Sequence, residues 1–475
     1  MTDVYIGLEI HIQLMTRSKV FCSCPAAFGE EENLNVCPVC LGYPGVLPVL
    51  NRRALELSCR LGIALHCSLA DRMLFDRKNY FYPDMAKNYQ ISQFNHPIGV
   101  DGYLEFDTEK KRKRIRIHDI HLEEDAGKMI HTGDGSLVDY NRAGSSLLEI
   151  VTEPDFRSGR EAELFLQHFR TLVRYLEVCD GNMEEGSLRC DANVSVNHPG
   201  KGLGTKVEIK NLNSSRFVRK ALEYEIRRQS RMLRTRREIN QETRLWNEQT
   251  GKTESMRTKE EAQDYRYFPE PDLPPFILDE QFIKKVRSSL PELPLQRYDR
   301  LTGEVGLPGE TAWFLTEERS RGDFYQQLLA HGCDPQGAAS LMKGELAKLQ
   351  GQFAFTYDDG RITAPGVSRL LALVDKQEIT AAQAKQVLAA MARDGADPDE
   401  VIQREGLGGA VDDTALQDMI AQLLAQHPDI VEQIKEGNTK AAGFFMGMIM
   451  KQTKSAADPK RTRELLFKAM GITPS

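Results

Sequence analysis

Five carboxylates stand where their neighbours give them no obvious partner: Glu9, Glu123, Glu124, Glu149 and Asp191. From Val4 to Leu14 every even position is apolar, while Glu9, His11 and Gln13 take odd ones. Period two is the pattern of a strand with one buried face. It sets Glu9 and His11 side by side on the other face, about 7 Å apart along the strand. Alone, that face reads more readily as a solvated one. Glu149 lies inside the apolar run Leu147-Leu148-Glu149-Ile150-Val151. Burying it unpaired is expensive, so it reads as a ligand more readily than as an ion-pair partner. Glu123, Glu124 and Asp125 are consecutive, ahead of Gly127 and Lys128, a concentration of like charge that a cation would relieve.

Two more alternating stretches extend the set. Asp191, Asn193 and Ser195 share one face of the first, and Lys206, Glu208 and Lys210 share one face of the second. Carboxylates suit Mg²⁺, which keeps waters and bridges substrate phosphates. Lys78, Lys128, Lys206 and Lys210 suit phosphate oxygens. Together they fit phosphoryl transfer, where positioning and charge neutralisation supply most of the catalysis. Lys78 is grouped with the catalytic residues. Lys128, Lys206, Glu208, Lys210 and Asn193 are candidates for holding a phosphate-bearing cofactor.

A second constellation is Cys22-x-Cys24, then Cys37-x-x-Cys40. Two tight thiol pairs in Pro-containing turns suit tetrahedral zinc, and four Cys leave no open position, so the expected role is structural. A redox dithiol would want a βαβ setting, which is missing here. The remaining cysteines, Cys59, Cys67, Cys179, Cys190 and Cys333, read as core thiols. There is no Walker A, H-E-x-x-H or dinucleotide-binding glycine motif. Ala143-Gly144-Ser145-Ser146 lacks the flanking Gly and the partner Lys of a serine amidase. Residues 75–94 interleave Phe75, Tyr80, Phe81, Tyr82, Tyr89 and Phe94 with basic and amide groups. That suits stacking on a base or ribose, an aromatic cluster in a turn being the alternative.

The elements behind these residues belong to a chain of 475 residues, enough for two to four domains. Hydrophobic content of 41% and charged content of 28% are those of an ordinary globular protein. No apolar run is long enough to cross a membrane, and no secretory pattern opens the chain. Reduced thiols in a cytosol are the expectation. Net charge is −7, yet nine basic residues fall between Arg216 and Arg237 against Glu223 and Glu225, and six of the seven residues Lys110–Arg116 are basic. A polyanionic partner or a solvated face would explain either run. Strands are expected over 103–106 and 114–118, and helices over 51–66, 160–178 and 216–233, the last capped by Ser214 or Ser215. Beyond a Pro-rich segment at 264–276, short amphipathic helices follow: 292–302, 308–317, 320–331, 335–348, 366–376 and 379–393. After a Gly-rich seam at 405–409 come 412–426, 428–436, 439–453 and 459–470.

Several motifs taken together carry a resemblance. G-L-E-I-H-I-Q-L (7–14), D-R-K-N-Y-F-Y-P-D (76–84), Y-Q-I-S-Q-F (89–94), H-L-E-E-D-A-G-K (121–128), L-L-E-I-V-T-E-P-D (147–155), E-E-G-S-L-R-C-D-A-N (184–193), K-N-L-N-S (210–214), Y-R-Y-F-P-E-P-D (265–272) and K-A-A-G-F-F-M-G (440–447) resemble the B subunits of bacterial glutamyl/aspartyl-tRNA amidotransferases. The resemblance implies an α+β fold: a mixed, largely antiparallel cradle of glutamine-synthetase-like type over 1–292 with a zinc knuckle at 22–40, a helical domain at 293–405, and a tRNA-binding helical tail at 406–475. It implies a cytoplasmic ligase working as a heterotrimer. A glutaminase A subunit supplies ammonia, and a small C subunit clamps the other two together. With ATP and Mg²⁺ the B subunit phosphorylates the side-chain carboxylate of Glu-tRNA(Gln) or Asp-tRNA(Asn), and ammonia then displaces phosphate. Carried over, the Mg²⁺ ligands are His11, Glu124 and Glu149, with Glu9 and Asp191 lining the site, and Cys22, Cys24, Cys37 and Cys40 hold structural zinc.

Two positions depart from the family pattern. Ser145-Ser146 stand where a Pro is usual, which loosens a turn without removing a ligand, and Ser455-Ala456-Ala457 stand where Gly is frequent. The alternative from another class is a non-catalytic tRNA-binding scaffold, its acids serving as structural ion pairs. An archaeal-type relative would need a large tail insertion, for which there is no room. Ammonia release by this chain itself would need a Ser-Ser-Lys set that is missing.

Overall fold

A computed structural model describes residues 2–109, 111–256, 265–408, 413–436, 438–453 and 456–472. Lys110 of the basic run, Asp264 of the Pro-rich segment, Gly409 of the seam and Ser455 of the tail lie outside them. The chain forms two compact units, Met1–Arg297 and Tyr298–Ser475.

In the first unit the strand Asp3–Gln13 is the middle member of a nine-stranded sheet. In spatial order the strands are Lys252–Ser255, Glu242–Asn247, Val207–Lys210, Leu188–Asn197, Asp3–Gln13, Ser146–Thr152, Arg112–Glu124, Gly99–Asp107 and Ser68–Leu69. Val207–Lys210 and Glu242–Asn247 run parallel, and the other neighbours are antiparallel. The alternation read from the sequence is the sheet's two-sidedness. Ile6, Leu8, Ile10 and Ile12 are buried, facing the same side as Leu148 and Ile150 on one neighbour and Ala192 and Val194 on the other. Each such aliphatic side chain contributes about 1.5–3 kcal/mol by leaving water.

Helices cover that apolar face. Gly159–Tyr175 presents Ala162, Phe165, Leu166, Phe169, Leu172 and Val173, all buried. Its Ser158 cap accepts from the Glu161 amide at 3.2 Å. Ser215–Arg234 begins with Ser214 accepting from the Phe217 amide at 3.2 Å. Such a cap is worth about 1 kcal/mol. Arg52–Ala64 adds Leu57 and Leu61 to the same core. With the helices on one face, the polar residues of the central strands are left on the other.

The strand expected over 114–118 is longer, Arg112–Glu124. Glu123 and Glu124, which the sequence placed after it, are therefore its last two residues. A smaller three-stranded sheet pairs Phe268–Pro269, Asp76–Asn79 and Tyr89–Ser92.

The second unit is helical among its described residues. Most expected helices are present within a few residues, and Pro398–Glu405, capped by Asp397, is an additional one. Its buried residues form two apolar clusters, one from Leu301 to Leu407 and one from Leu416 to Met470.

Candidate active site and thiol cluster

Strand register assembles the polar wall. His11 lies opposite Glu149 on one side and Arg189 on the other, and Glu9 lies opposite Asp191. Glu149 in turn lies opposite His121, and Leu147 opposite Glu123. His11 Nε2 is 3.6 Å from Glu149 Oε1, and His121 Nδ1 is 3.9 Å from Glu149 Oε2. One ligand atom each from His11, Glu149 and Glu123 lies within 4.8 Å of the others. His11 and Glu149 are thus brought together as expected, while Glu124 is not.

Glu123, not Glu124, completes the cluster because neighbours on a strand point to opposite faces. The Glu124 carboxylate instead takes the Lys87 ammonium in a close ion pair and the Ile91 amide at 2.8 Å. Nothing in the sequence around Lys87 singles it out. Glu123 accepts from the Ser92 hydroxyl at 2.9 Å.

The charges are poised for a cation. Burial pushes the Glu149 carboxyl up to about 8, with repulsion from Glu123 adding to it. Burial likewise raises Glu123, against the pull of Lys78. His11 is lowered to about 3, first by burial and then by Arg189. It is therefore a neutral imidazole with a lone pair to offer, the form in which histidine binds metal. One buried and one half-buried carboxyl with a neutral imidazole make a hard-cation donor set that a divalent ion would relieve. Behind it, His121 Nε2 is 3.1 Å from Asp119 Oδ1, within ion-pair distance.

The remaining candidates flank this centre. Burial opposes the charge on Lys78, but Glu123, Tyr267 and Glu149 outweigh it and raise its pKa. Lys210 Nζ bridges Asp191 Oδ2 at 2.8 Å and Glu208 Oε1 at 3.1 Å. Asn193 Nδ2 donates to Glu9 Oε1 at 2.8 Å, while Asn193 Oδ1 is buried with no partner. Glu9, Asn193 and Lys206 line one cavity of about 220 Å³ that continues from this edge. Lys128 sits apart, exposed on a separate hairpin, Lys128–Thr132 with Gly135–Asp139. Asp125, Gln13 and Arg189 form a group the sequence did not isolate. Asp125 Oδ2 accepts from Arg189 Nη2 at 2.7 Å and Gln13 Nε2 at 3.0 Å. The odd-position spacing from Glu9 through Gln13 is its visible signal.

The four expected thiols converge. Cys22, Cys24, Cys37 and Cys40 place their sulphurs within 4.8 Å of one another, a set that can hold a tetrahedral metal ion. Cys40 is lowered to about 4, first by a hydrogen bond from Cys22. The fully buried Lys19 adds its charge, donating to Cys40 Sγ at 3.6 Å and to the Tyr140 carbonyl at 3.2 Å. Gly144 precedes the Ser145-Ser146 turn, where Ser146 Oγ is 3.1 Å from Thr16 Oγ1.

The two basic runs differ. Arg112, Lys113, Arg114 and Arg116 each meet an acid: Asp107, Glu161, Glu105 and Asp155. Those four residues form a neutralised face. Arg219 and Arg228 are paired also, with Glu163 and Glu225. Arg227, Arg231, Arg234, Arg236 and Arg237 are exposed and show no acidic partner among the described residues.

Comparison with known proteins bears on both units. Residues 4–284 match the family model described as GatB/GatE catalytic domain, and residues 323–470 match the one described as GatB domain. A protein of Thermodesulfovibrio yellowstonii is 47% identical over 470 residues, covering 98% of this chain and 99% of that one. A protein of Thermoanaerobacter pseudethanolicus is 46% identical over 466 residues, covering 98% of each, and one of Persephonella marina is 45% identical over 463. All three are named as the B subunit of an aspartyl/glutamyl-tRNA(Asn/Gln) amidotransferase.

Proposed function

The chain belongs to the family of aspartyl/glutamyl-tRNA amidotransferase B subunits, and from that premise we propose that the polar wall around His11, Glu123 and Glu149 activates the side-chain carboxylate of Glu-tRNA(Gln) or Asp-tRNA(Asn) at the expense of ATP. The enzyme is a ligase-type amidotransferase that yields Gln-tRNA(Gln) or Asn-tRNA(Asn). The observation that carries the site is the convergence of one imidazole nitrogen and two carboxylates within 4.8 Å on a rigid sheet.

The chemistry has two steps. The substrate carboxylate oxygen attacks the γ-phosphorus of ATP, forming an acyl phosphate and releasing ADP. Ammonia then attacks the acyl carbon, the C–O bond to phosphate breaks, and the amine proton leaves with phosphate or water. Mg²⁺ bound by His11, Glu123 and Glu149 would supply charge neutralisation on the phosphoryl oxygens. Lys78, half-buried and charged against Glu123 and Glu149, is placed to take a phosphoryl oxygen. Asp191 and Glu208 hold Lys210 in one place by two ion pairs, so its ammonium is fixed before substrate arrives. The cavity lined by Glu9, Asn193 and Lys206 is the best fit for the nucleotide's remaining atoms. Ammonia comes from a glutaminase A subunit, with a small C subunit completing a heterotrimer in the cytoplasm. The thiol cluster holds structural Zn²⁺. Domain limits of 1–292, 293–405 and 406–475 are supported by the two separate cores of the second unit, and the tail is the part that binds tRNA.

The test is Glu149→Gln in the assembled enzyme. ADP formation dependent on Glu-tRNA(Gln) or Asp-tRNA(Asn) should fall at least a hundredfold while tRNA binding persists. Undiminished ADP formation with tRNA still bound would leave this chain a scaffold.

A further inference from the structure

Residues 75–94 contain more exposed aromatic surface than the phosphoryl-transfer site uses. Phe81, Tyr82, Phe94 and Phe268 are all solvent-exposed, and all belong to the small sheet Phe268–Pro269, Asp76–Asn79, Tyr89–Ser92 or to the segments leaving it. Exposed aromatics gathered on one element usually mark a binding surface.

One pair is built for stacking. The rings of Phe94 and Tyr267 are parallel within 14°, with centroids 4.2 Å apart, yet Phe94 is still 54% exposed. One face of Phe94 is covered by Tyr267, and the exposure is on the remainder. The backbone that carries it is pinned. Gln93 is buried, its Oε1 accepting from the Leu122 amide at 2.9 Å, and Asp76 Oδ2 accepts from the Phe94 amide at 2.9 Å. A fixed aromatic ring with a free face binds a base at low entropic cost.

The platform is tied to the acid wall. Ser92, which donates to Glu123 Oε2 at 2.9 Å, is two residues before Phe94, about 7 Å of extended chain. On the other side, Lys78 lies 4.9 Å from the ring centroid of Tyr265, two residues before Tyr267. Burial raises the Tyr267 hydroxyl, and its electrostatic neighbours are Lys78, Glu123 and Glu149.

The relatives' names give the substrate as an aminoacylated tRNA. Its aminoacyl group is esterified to the ribose of the 3′-terminal adenosine, so a side-chain carboxylate held at the acid wall brings that base within one ribose and one amino-acid chain of it. The platform is open, as a single-stranded end requires. The cavity at Glu9, Asn193 and Lys206 shares no lining residue with this platform and is left for the nucleotide. We propose that the free face of the Phe94–Tyr267 pair stacks the base of the 3′-terminal adenosine of the aminoacyl-tRNA, setting its side-chain carboxylate at the acid wall. The proposal rests on the reading of that wall given above.

The experiment uses the assembled amidotransferase and compares wild type with Phe94→Ala and Phe94→Trp. Phe94→Ala should lower kcat/KM for Glu-tRNA(Gln) or Asp-tRNA(Asn) roughly tenfold, the size of one lost base–aromatic stack. KM for ATP should stay put, and Trp should restore the loss. In a tRNA with 2-aminopurine as its 3′-terminal base, binding should quench fluorescence in wild type and not in Phe94→Ala. An unchanged kcat/KM for the tRNA, an effect on KM for ATP instead, or equal quenching in both proteins overturns the proposal. Phe94 is exposed, so a thermal melt matching wild type confirms that the variant is folded. These failures concern the platform alone; retained ADP formation in Glu149→Gln is what would fail the site.

Discussion

Glu149→Gln removes a charge that the folded chain holds at a cost, and the cost has a pH signature. The Glu149 carboxyl is raised from 4.5 to about 8 by burial and by Glu123. A group raised on folding stabilises the fold fully below its unfolded pKa, and that stability is lost as pH rises through the folded pKa. The loss therefore starts near pH 4.5 and is complete near pH 8. At about 1.4 kcal/mol per unit, the shift amounts to roughly 4–5 kcal/mol. The amide keeps the shape and escapes the penalty. Without divalent cations, Glu149→Gln should melt at the wild-type temperature near pH 4.5 and higher by on the order of 5–10 °C at pH 8.5. Millimolar Mg²⁺ should raise wild type and narrow the gap. Trp246, buried in the first unit, is the reporter, with Trp313 of the second unit replaced by Phe so that only one unit is read. A variant less stable than wild type at pH 8.5, or a difference that ignores pH, would refute the argument that Glu149 is an unrelieved buried carboxylate.

Further outcomes follow from the geometry. Glu123→Gln should weaken Mn²⁺ binding, read by paramagnetic resonance, at least tenfold, while Glu124→Gln, whose side chain serves Lys87, should leave it within about twofold. Cys37→Ser should lose zinc by colorimetric release assay and lower the melting temperature, since a structural metal contributes folding energy. Phe165→Ala, deep beneath the sheet, should cost about 3–5 kcal/mol in denaturant unfolding of the first unit.

Much of this is legible in single stretches of chain. The alternation around Glu9 and His11, the lone Glu149 in an apolar run and the paired thiols each carry their meaning locally, and each is where it was expected. The placing of Glu124 outside the cluster shows where local reading stops. Glu123 and Glu124 look alike in sequence, and which faces the site depends on the strand reaching Glu124 and on Leu147 lying opposite Glu123. A shift of one residue exchanges the faces. The Asp125–Arg189 pair and the Lys87–Glu124 pair join residues 64 and 37 apart, which no periodicity reveals. The order of the nine strands is likewise a matter of long-range pairing. The helix Pro398–Glu405 falls outside the expected set although its start signal is local: Asp397-Pro398 is a cap followed by a first-turn proline.

If the wall of His11, Glu123 and Glu149 serves transfer of phosphate to the aminoacyl side chain, one oxygen atom must change hands, and it can be followed. Glu-tRNA(Gln) or Asp-tRNA(Asn) labelled with ¹⁸O in the side-chain carboxylate is amidated by the assembled enzyme with unlabelled ATP, and the inorganic phosphate is analysed by mass spectrometry. The bridging oxygen of an acyl phosphate comes from the carboxylate and leaves with phosphate when ammonia attacks carbon. One ¹⁸O per phosphate is predicted, and labelled phosphate should form at least a hundredfold more slowly when Glu149→Gln replaces the wild-type chain. Amidation that proceeds with unlabelled phosphate would rule out an acyl phosphate at this wall.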